Sequence, residues 1–290
     1  MSFLDGLSSC TLQQLTDIIG GGILSTISVI NTKYSNGNEE FSGTGLIVSD
    51  RSKKYIFTAN HVIDPSKRIP PRSENVEKTF HSIGLKKDKQ SKLYPLCQSY
   101  FCSETQDLAI GESLTSERLD IDSKVDYYPI ENVLNPIPFN ISNEDFFVLC
   151  GFPAQKKTQI HVTRETNHEM LNHFFQGHHG RQDPDSSTRF RIKYDGDKVH
   201  PGGLSGSPVW IIRNANNSDN PLTINQLKQL SGEKAAFIVH VIGIVVEYFA
   251  ETSEISAVKS DVCAEFVRQA RERLPNLRSQ TEDEWINMRH

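Results

Sequence analysis

The 290-residue sequence has no excess of positive charge. Its 31 Lys and Arg stand against 36 Asp and Glu, a formal net charge of −5. That balance argues against an electrostatic grip on nucleic acid or anionic lipid. Long hydrophobic runs are also missing. The longest, residues 235–246, is shorter than the ~20 residues that span a bilayer, and His240 and Gly243 interrupt it. The opening MSFLDGLSSCTLQQLTD has no Lys or Arg and no continuous apolar stretch, so no secretory leader is visible. Cysteines are few, odd in number and scattered: Cys10, Cys97, Cys102, Cys150 and Cys263. No CxxC pair or Cys/His set has zinc-ligand spacing. His168 and His173 are one residue too far apart to share a helical face in the manner of a zinc-peptidase motif. Gly20-Gly21-Gly22 lacks the Lys-Ser/Thr that completes a phosphate loop. The expectation is a cytoplasmic protein with reduced thiols, no metal, no cofactor, no membrane span and no nucleic-acid partner.

What is present is a β-rich chain. Hydrophobic residues make up 37% and charged residues 23%, enough for a sizeable buried core. A short helix is predicted over 8–19, ended by the three glycines. Strands are predicted over 23–32, 41–48 and 55–59, with Asn36-Gly37 as a hairpin dipeptide between the first two. Short strands follow near 81–85, 93–96 and 108–110, and 112–143 reads as a long connection. A second β-rich set covers 146–151, 158–163, 190–194, 207–213 and 235–249. Residues 164–188 and 214–233 read as insertions, the first ending in a polar loop that carries His178 and His179. Ser260 or Asp261 can cap a final helix whose Val262, Phe266, Val267 and Ala270 make one apolar face. Residues 275–290 read as a polar tail.

Three short stretches carry chemistry. Tyr55-Ile56-Phe57-Thr58-Ala59-Asn60-His61-Val62 delivers a histidine at a strand end. Asp107-Leu108-Ala109-Ile110 sets an aspartate before a short apolar run. Gly202-Gly203-Leu204-Ser205-Gly206-Ser207-Pro208 holds a serine in a glycine-rich turn that leads into an apolar strand. Each alone has an ordinary structural explanation: a core histidine, a strand edge, a β-turn. Together they supply complementary parts of one reaction. A serine hydroxyl is a poor nucleophile near neutral pH and needs a positioned base. Imidazole can take that proton and return it to a leaving group. A carboxylate fixes the imidazole tautomer. A glycine-rich turn lets backbone N–H groups converge on a developing oxyanion.

In order and spacing these stretches resemble the chymotrypsin/trypsin-like serine peptidases. Phe41-Ser42-Gly43-Thr44-Gly45-Leu46 looks like the strand before the histidine strand, and Gly243-Ile244-Val245-Val246 like the strand that lines the substrate cleft. The resemblance implies an all-β fold of two six-stranded antiparallel β-barrels with a C-terminal helix. The expected organisation is an extension over 1–22, a first barrel over 23–135, a second over 136–258, a helix over 259–274 and a tail over 275–290. It implies His61, Asp107 and Ser205 as the catalytic triad, with the amides of Gly203 and Ser205 as the oxyanion hole. Substrate-binding candidates are Val199 and His200 before the nucleophile, and Val246, Glu247 and Tyr248 on the cleft strand.

Two departures from digestive members carry meaning. Leu204 stands where those enzymes have an aspartate that pairs with a newly cut N-terminus. Leucine cannot make that ion pair, so activation by N-terminal insertion is not expected. Val199 stands at the base of the expected specificity pocket, so selection of Arg or Lys by a buried carboxylate is not expected there. The leading expectation is a serine endopeptidase acting on a polypeptide through an acyl-enzyme. The alternatives are a conditional peptidase effector of a bacterial stress or antiviral module, switched on by an activating protein partner, and a catalytically silent peptide-binding module.

Overall fold

The structure is a computed structural model describing residues 26–33, 39–50, 53–64, 80–87, 90–95, 100–112, 128–141, 147–152, 173–194, 201–214, 217–221 and 237–287. The first half forms β1 (Ile27–Lys33), β2 (Glu39–Asp50), β3 (Lys53–Ala59), the one-turn helix α1 (Asn60–Ile63), β4 (Phe80–Lys87), β5 (Gln90–Pro95), β6 (Tyr100–Ser103), β7 (Leu108–Glu112), β8 (Tyr128–Pro129) and α2 (Ile130–Leu134). The second half adds β9 (Phe147–Gly151), β10 (His173–Gln182), β11 (Arg189–Tyr194), β12 (Pro208–Asn214), β13 (Asn217–Pro221), β14 (Phe237–Phe249), β15 (Glu254–Lys259) and α3 (Ser260–Asn287).

The strands make two sheets, antiparallel except for the β2–β8 pair. The first runs β5-β4-β1-β2-β3-β7-β6 with β8 beside β2; the second runs β13-β12-β14-β15-β11-β10-β9. β9 also pairs with β12, so six strands of the second sheet follow a circuit of pairings. The architecture is all-β with a C-terminal helix, as expected. The strand count differs in detail: among the described residues the first sheet has eight strands and its path does not return on itself, and the second has seven, six of them in the circuit. β8 and β13 are short edge additions, each ending in a proline that cannot donate to a ladder.

Other expectations also needed correction. The span 164–188 is not simply an inserted loop: β10 crosses it and joins β9 to β11. A register shift between His178 and Arg181 breaks its period-two pattern, which is why the strand reads as polar loop. Residues 214–233 contain β13, and 112–143 contains β8 and α2. The final helix does not end before 275 but runs on to Asn287. Pro275 suggests a stop, yet the Arg, Gln and Glu around it are good helix formers. The helix expected over 8–19 and the strand over 158–163 lie outside the described residues.

Two apolar clusters hold the fold. One lies within the second sheet and includes Phe147, Leu149, Phe190, Leu204, Val245 and Ile255. The other joins first-half residues such as Phe57 of β3 and Val62 of α1 to Ile244, Val246 and Val258 of the second sheet and to α3. The apolar face read from the sequence of α3 is the buried one. Phe266 stacks on Phe57 at 5.8 Å between ring centroids and leans on Phe101 at 5.1 Å. The Arg271 guanidinium meets Asp50 at 2.7 Å, which ties α3 to the far end of β2. The helix thereby packs across the junction of the two halves.

Candidate active site

The site is assembled by strand register. β3 and β7 are antiparallel, with Ala59 opposite Leu108. The residue after β3 and the residue before β7 must therefore meet. Ala59 is still extended, at φ −78° and ψ 145°, and α1 turns the chain immediately after it. The Asn60 amide donates to the Asp107 carbonyl at 3.0 Å, and the His61 amide donates to Asp107 Oδ1 at 3.0 Å. Asp107 Oδ2 lies 2.7 Å from His61 Nδ1. An ionised carboxylate only accepts, so Nδ1 is the donor in that contact and the lone pair of the neutral ring sits on Nε2. Asp107 has φ 57°, a left-handed conformation uncommon for non-glycine residues but tolerated by aspartate. The penalty is about 1–2 kcal/mol. Three hydrogen bonds to this one residue hold it there.

The Ser205 turn has its own scaffold. The Leu204 amide donates to the Pro201 carbonyl at 2.9 Å, and Gly203 sits at φ 97°. That is a type II turn with glycine where positive φ is required. A type I turn between the same ends would place Gly203 near φ −90° and rotate the peptide that carries its N–H. Among the described residues, the Gly203 and Ser205 amides have no hydrogen-bond acceptor. Leu204 is 1% exposed and packs into the cluster inside the second sheet. The turn is thus anchored by apolar burial of the residue just before Ser205.

Three strands clamp the turn. The Gly206 amide donates to the Val245 carbonyl at 2.7 Å, and the Val245 amide donates to the Ser207 carbonyl at 2.8 Å. Across the junction, the Thr44 amide donates to the Ser205 carbonyl at 2.9 Å, and Thr44 Oγ1 donates to the Gly203 carbonyl at 3.0 Å. Thr58 Oγ1, three residues before His61, donates to the Thr44 carbonyl at 2.7 Å. Gly206, at φ 84°, lies so close to the Thr44 carbonyl and Thr58 Oγ1 that a Cβ would overlap both. A Cβ on Gly43 would stand 2.7 Å from Val62 Cγ2 and 2.8 Å from the Ser205 carbonyl oxygen. The serine backbone and the residue after His61 therefore flank the same point of β2. Thr44 and Thr58 were not among the sequence candidates. Thr44 lies in the Gly43-Thr44-Gly45 stretch and Thr58 in the strand that leads to His61.

Val246, Glu247 and Tyr248 lie on β14 just beyond the contact with the serine turn. β12 pairs with β14 only as far as Ile244 and the serine turn takes up Val245, so among the described residues Val246 and Glu247 have one open backbone edge. Val199 and His200 lie outside the described residues. The described cysteines are poor competitors as nucleophiles. Desolvation, joined by the charges of Asp64 and Glu104, pushes the Cys102 thiol up to about 11. Burial raises Cys150 and Cys263 further above the ordinary thiol range. Cys150 lies buried in β9, as its apolar strand suggested. His173, one of the two histidines weighed as metal ligands, begins β10. Among the described residues, no helix is long and apolar enough to cross a membrane, and no group of three His, Cys, Asp or Glu is placed to hold a metal ion.

Comparison with known proteins defines the fold. A solved structure of a Glu endopeptidase in complex with MPD superposes with TM-score 0.50 at 10% sequence identity, covering 93% of this chain and 99% of that one. A second structure comes from work on aromatic interactions that drive the coupled folding and binding of the intrinsically disordered Sesbania mosaic virus VPg protein. It superposes with TM-score 0.41 at 13% identity, covering 83% of this chain and 89% of that one. No protein-family model matches the chain, and no curated protein matches it. The class defined by the first likeness is the chymotrypsin-like protease fold.

Proposed function

We propose that the protein is a serine endopeptidase that hydrolyses peptide bonds through an acyl-enzyme. Ser205 is the nucleophile, His61 the general base and acid, and Asp107 the residue that orients the imidazole. The observation that carries the reading is the two-point grip of Asp107 on His61, at 3.0 Å on the backbone amide and 2.7 Å on Nδ1. That grip fixes ring orientation and tautomer together, the role an aspartate has in a triad. The chymotrypsin-like fold raises the prior by analogy.

The chemistry follows from the roles. His61 Nε2 takes the Ser205 hydroxyl proton as Oγ bonds to the scissile carbonyl carbon. The carbonyl oxygen gains negative charge and accepts from the Gly203 and Ser205 amides. His61 then gives the proton to the departing amine, and the C–N bond breaks. Water repeats the sequence on the ester and frees Ser205. A polypeptide pairs along the open edge of β14, in the manner of an added strand. The type II geometry at Gly203 and the buried Leu204 favour a chain competent without N-terminal insertion, and this sets the unconditional peptidase ahead of the partner-activated one.

The test is incubation of the isolated protein with a randomised peptide library and sequencing of the products by mass spectrometry. The reading expects new termini with wild-type protein and none with Ser205→Ala. Products from both, or from neither, overturn it.

A further inference from the structure

We propose that Glu247 gives the cleft a preference for a basic residue on the N-terminal side of the scissile bond, with Arg189 moderating it. This inference rests on the peptidase reading above. β14 runs away from the Ser205 turn along residues 246–249, with β15 on one edge, and among the described residues the other edge is open at Val246 and Glu247. A substrate strand pairing antiparallel with that edge runs towards Ser205. The residues lying beside Glu247 therefore precede the bond that is cut.

The side chain of Glu247 faces the cleft side of the sheet. Val245 and Tyr248 pack on the cluster inside the second sheet, whereas Val246 belongs to the cluster that also holds Val62. The pairing with β15 slips by one residue between Val245 and Glu247. A bulge of this kind turns Glu247 out on the same side as Val246. Arg189 confirms that placement. It pairs with Val258, a member of the same cluster as Val246, and its Nη1 reaches Glu247 Oε2 at 3.4 Å.

Other acids on this face are already committed. Glu254 is buried and takes two hydrogen bonds from Arg181, at 2.8 and 2.6 Å. Asp183 is buried against Arg191 at 3.0 Å, and Asp185 accepts from the same guanidinium at 2.7 Å. Among the described residues Glu247 has a single ion-pair partner, at a distance longer than a tight charge-assisted hydrogen bond. Its side chain is 41% exposed against 21% for Arg189, so an incoming side chain meets the carboxylate before the guanidinium. A Lys or Arg of the substrate is the chemistry that fits.

The experiment is position-resolved profiling with a randomised peptide library at low and high salt. It uses wild type, Glu247→Gln and Arg189→Gln, with circular dichroism as a check on folding. Wild type should favour Lys and Arg over Gln by about two- to five-fold at one position before the cut, the range of an exposed ion pair. The preference should shrink at high salt. Glu247→Gln should abolish it, and Arg189→Gln should enlarge it. Cleavage with no basic preference, a preference that survives in Glu247→Gln, or an acidic preference lost in Arg189→Gln would each overturn the inference and leave the peptidase reading standing. No cleavage by any variant would overturn both.

Discussion

Leu204 separates holding the fold together from holding the catalytic turn in shape. The perturbation is Leu204→Ala, compared with Leu149→Ala in the same apolar cluster. The two leucines are 1% and 0% exposed, so each truncation removes a fully buried side chain. The expected loss is about 2–5 kcal/mol for either, from lost transfer free energy and the cavity left behind. Their consequences for reactivity should differ. Leu149 lies in β9 and makes no part of the turn. Leu204 lies between Gly203 and Ser205, and its burial anchors the type II turn. Without it, the turn can sample geometries in which the Gly203 amide points elsewhere. Loss of one oxyanion donor lowers turnover by ~10²–10³-fold in a serine peptidase. The assay is denaturant unfolding for stability and second-order fluorophosphonate reactivity at a temperature where both variants are folded. Equal destabilisation, with reactivity lost mainly in Leu204→Ala, is the expected result. Equal reactivity in the two variants would refute the claim that burial of Leu204 holds the turn.

Asp107→Asn should keep the fold, because asparagine also tolerates φ 57°, while turnover falls by about 10⁴-fold if the triad template applies; a loss under tenfold would contradict the orienting role. Gly206→Ala should destabilise by about 2–5 kcal/mol, combining left-handed strain with overpacking against the Thr44 carbonyl and Thr58 Oγ1. A change below about 1 kcal/mol in chemical denaturation would mean the turn does not dock on β2 and β3 this tightly. Desolvation, with the nearby Arg213 charge, pushes His240 down to about 4 from 6.5. Between those values the unfolded chain binds a proton that the folded chain does not, so stability should fall as pH drops from about 6.5 towards 4. After allowance for partial exposure the loss is about 1–3 kcal/mol, and His240→Gln should flatten that slope in pH-dependent unfolding. An unchanged slope in the variant would show that His240 is not its source.

The parts of the fold legible in the sequence are those where one physical signal dominates. β3 and β7 stand out because apolar residues run directly into His61 and out of Asp107. The buried face of α3 is legible because Phe266, Val267 and Ala270 repeat at helical spacing. β10 is hidden because its shifted register interrupts the alternation that marks a strand. The extent of α3 is hidden because Pro275 is a strong local signal that the helix overrides. At the site, the candidate triad can be read from residue types in order, but its support cannot. Thr44 clamps the serine turn through one amide and one hydroxyl, contacts that arise only when two sheets meet. Leu204 looks like a missing charge in the sequence and is a core residue in the fold.

The most direct test of the central claim is intact-mass analysis of the purified protein after exposure to a fluorophosphonate, with Ser205→Ala alongside. The account predicts one covalent adduct on wild type, mapped to Ser205 by peptide sequencing and absent from the variant. A well-folded wild type that gains no adduct, or an adduct that persists in Ser205→Ala, would contradict it.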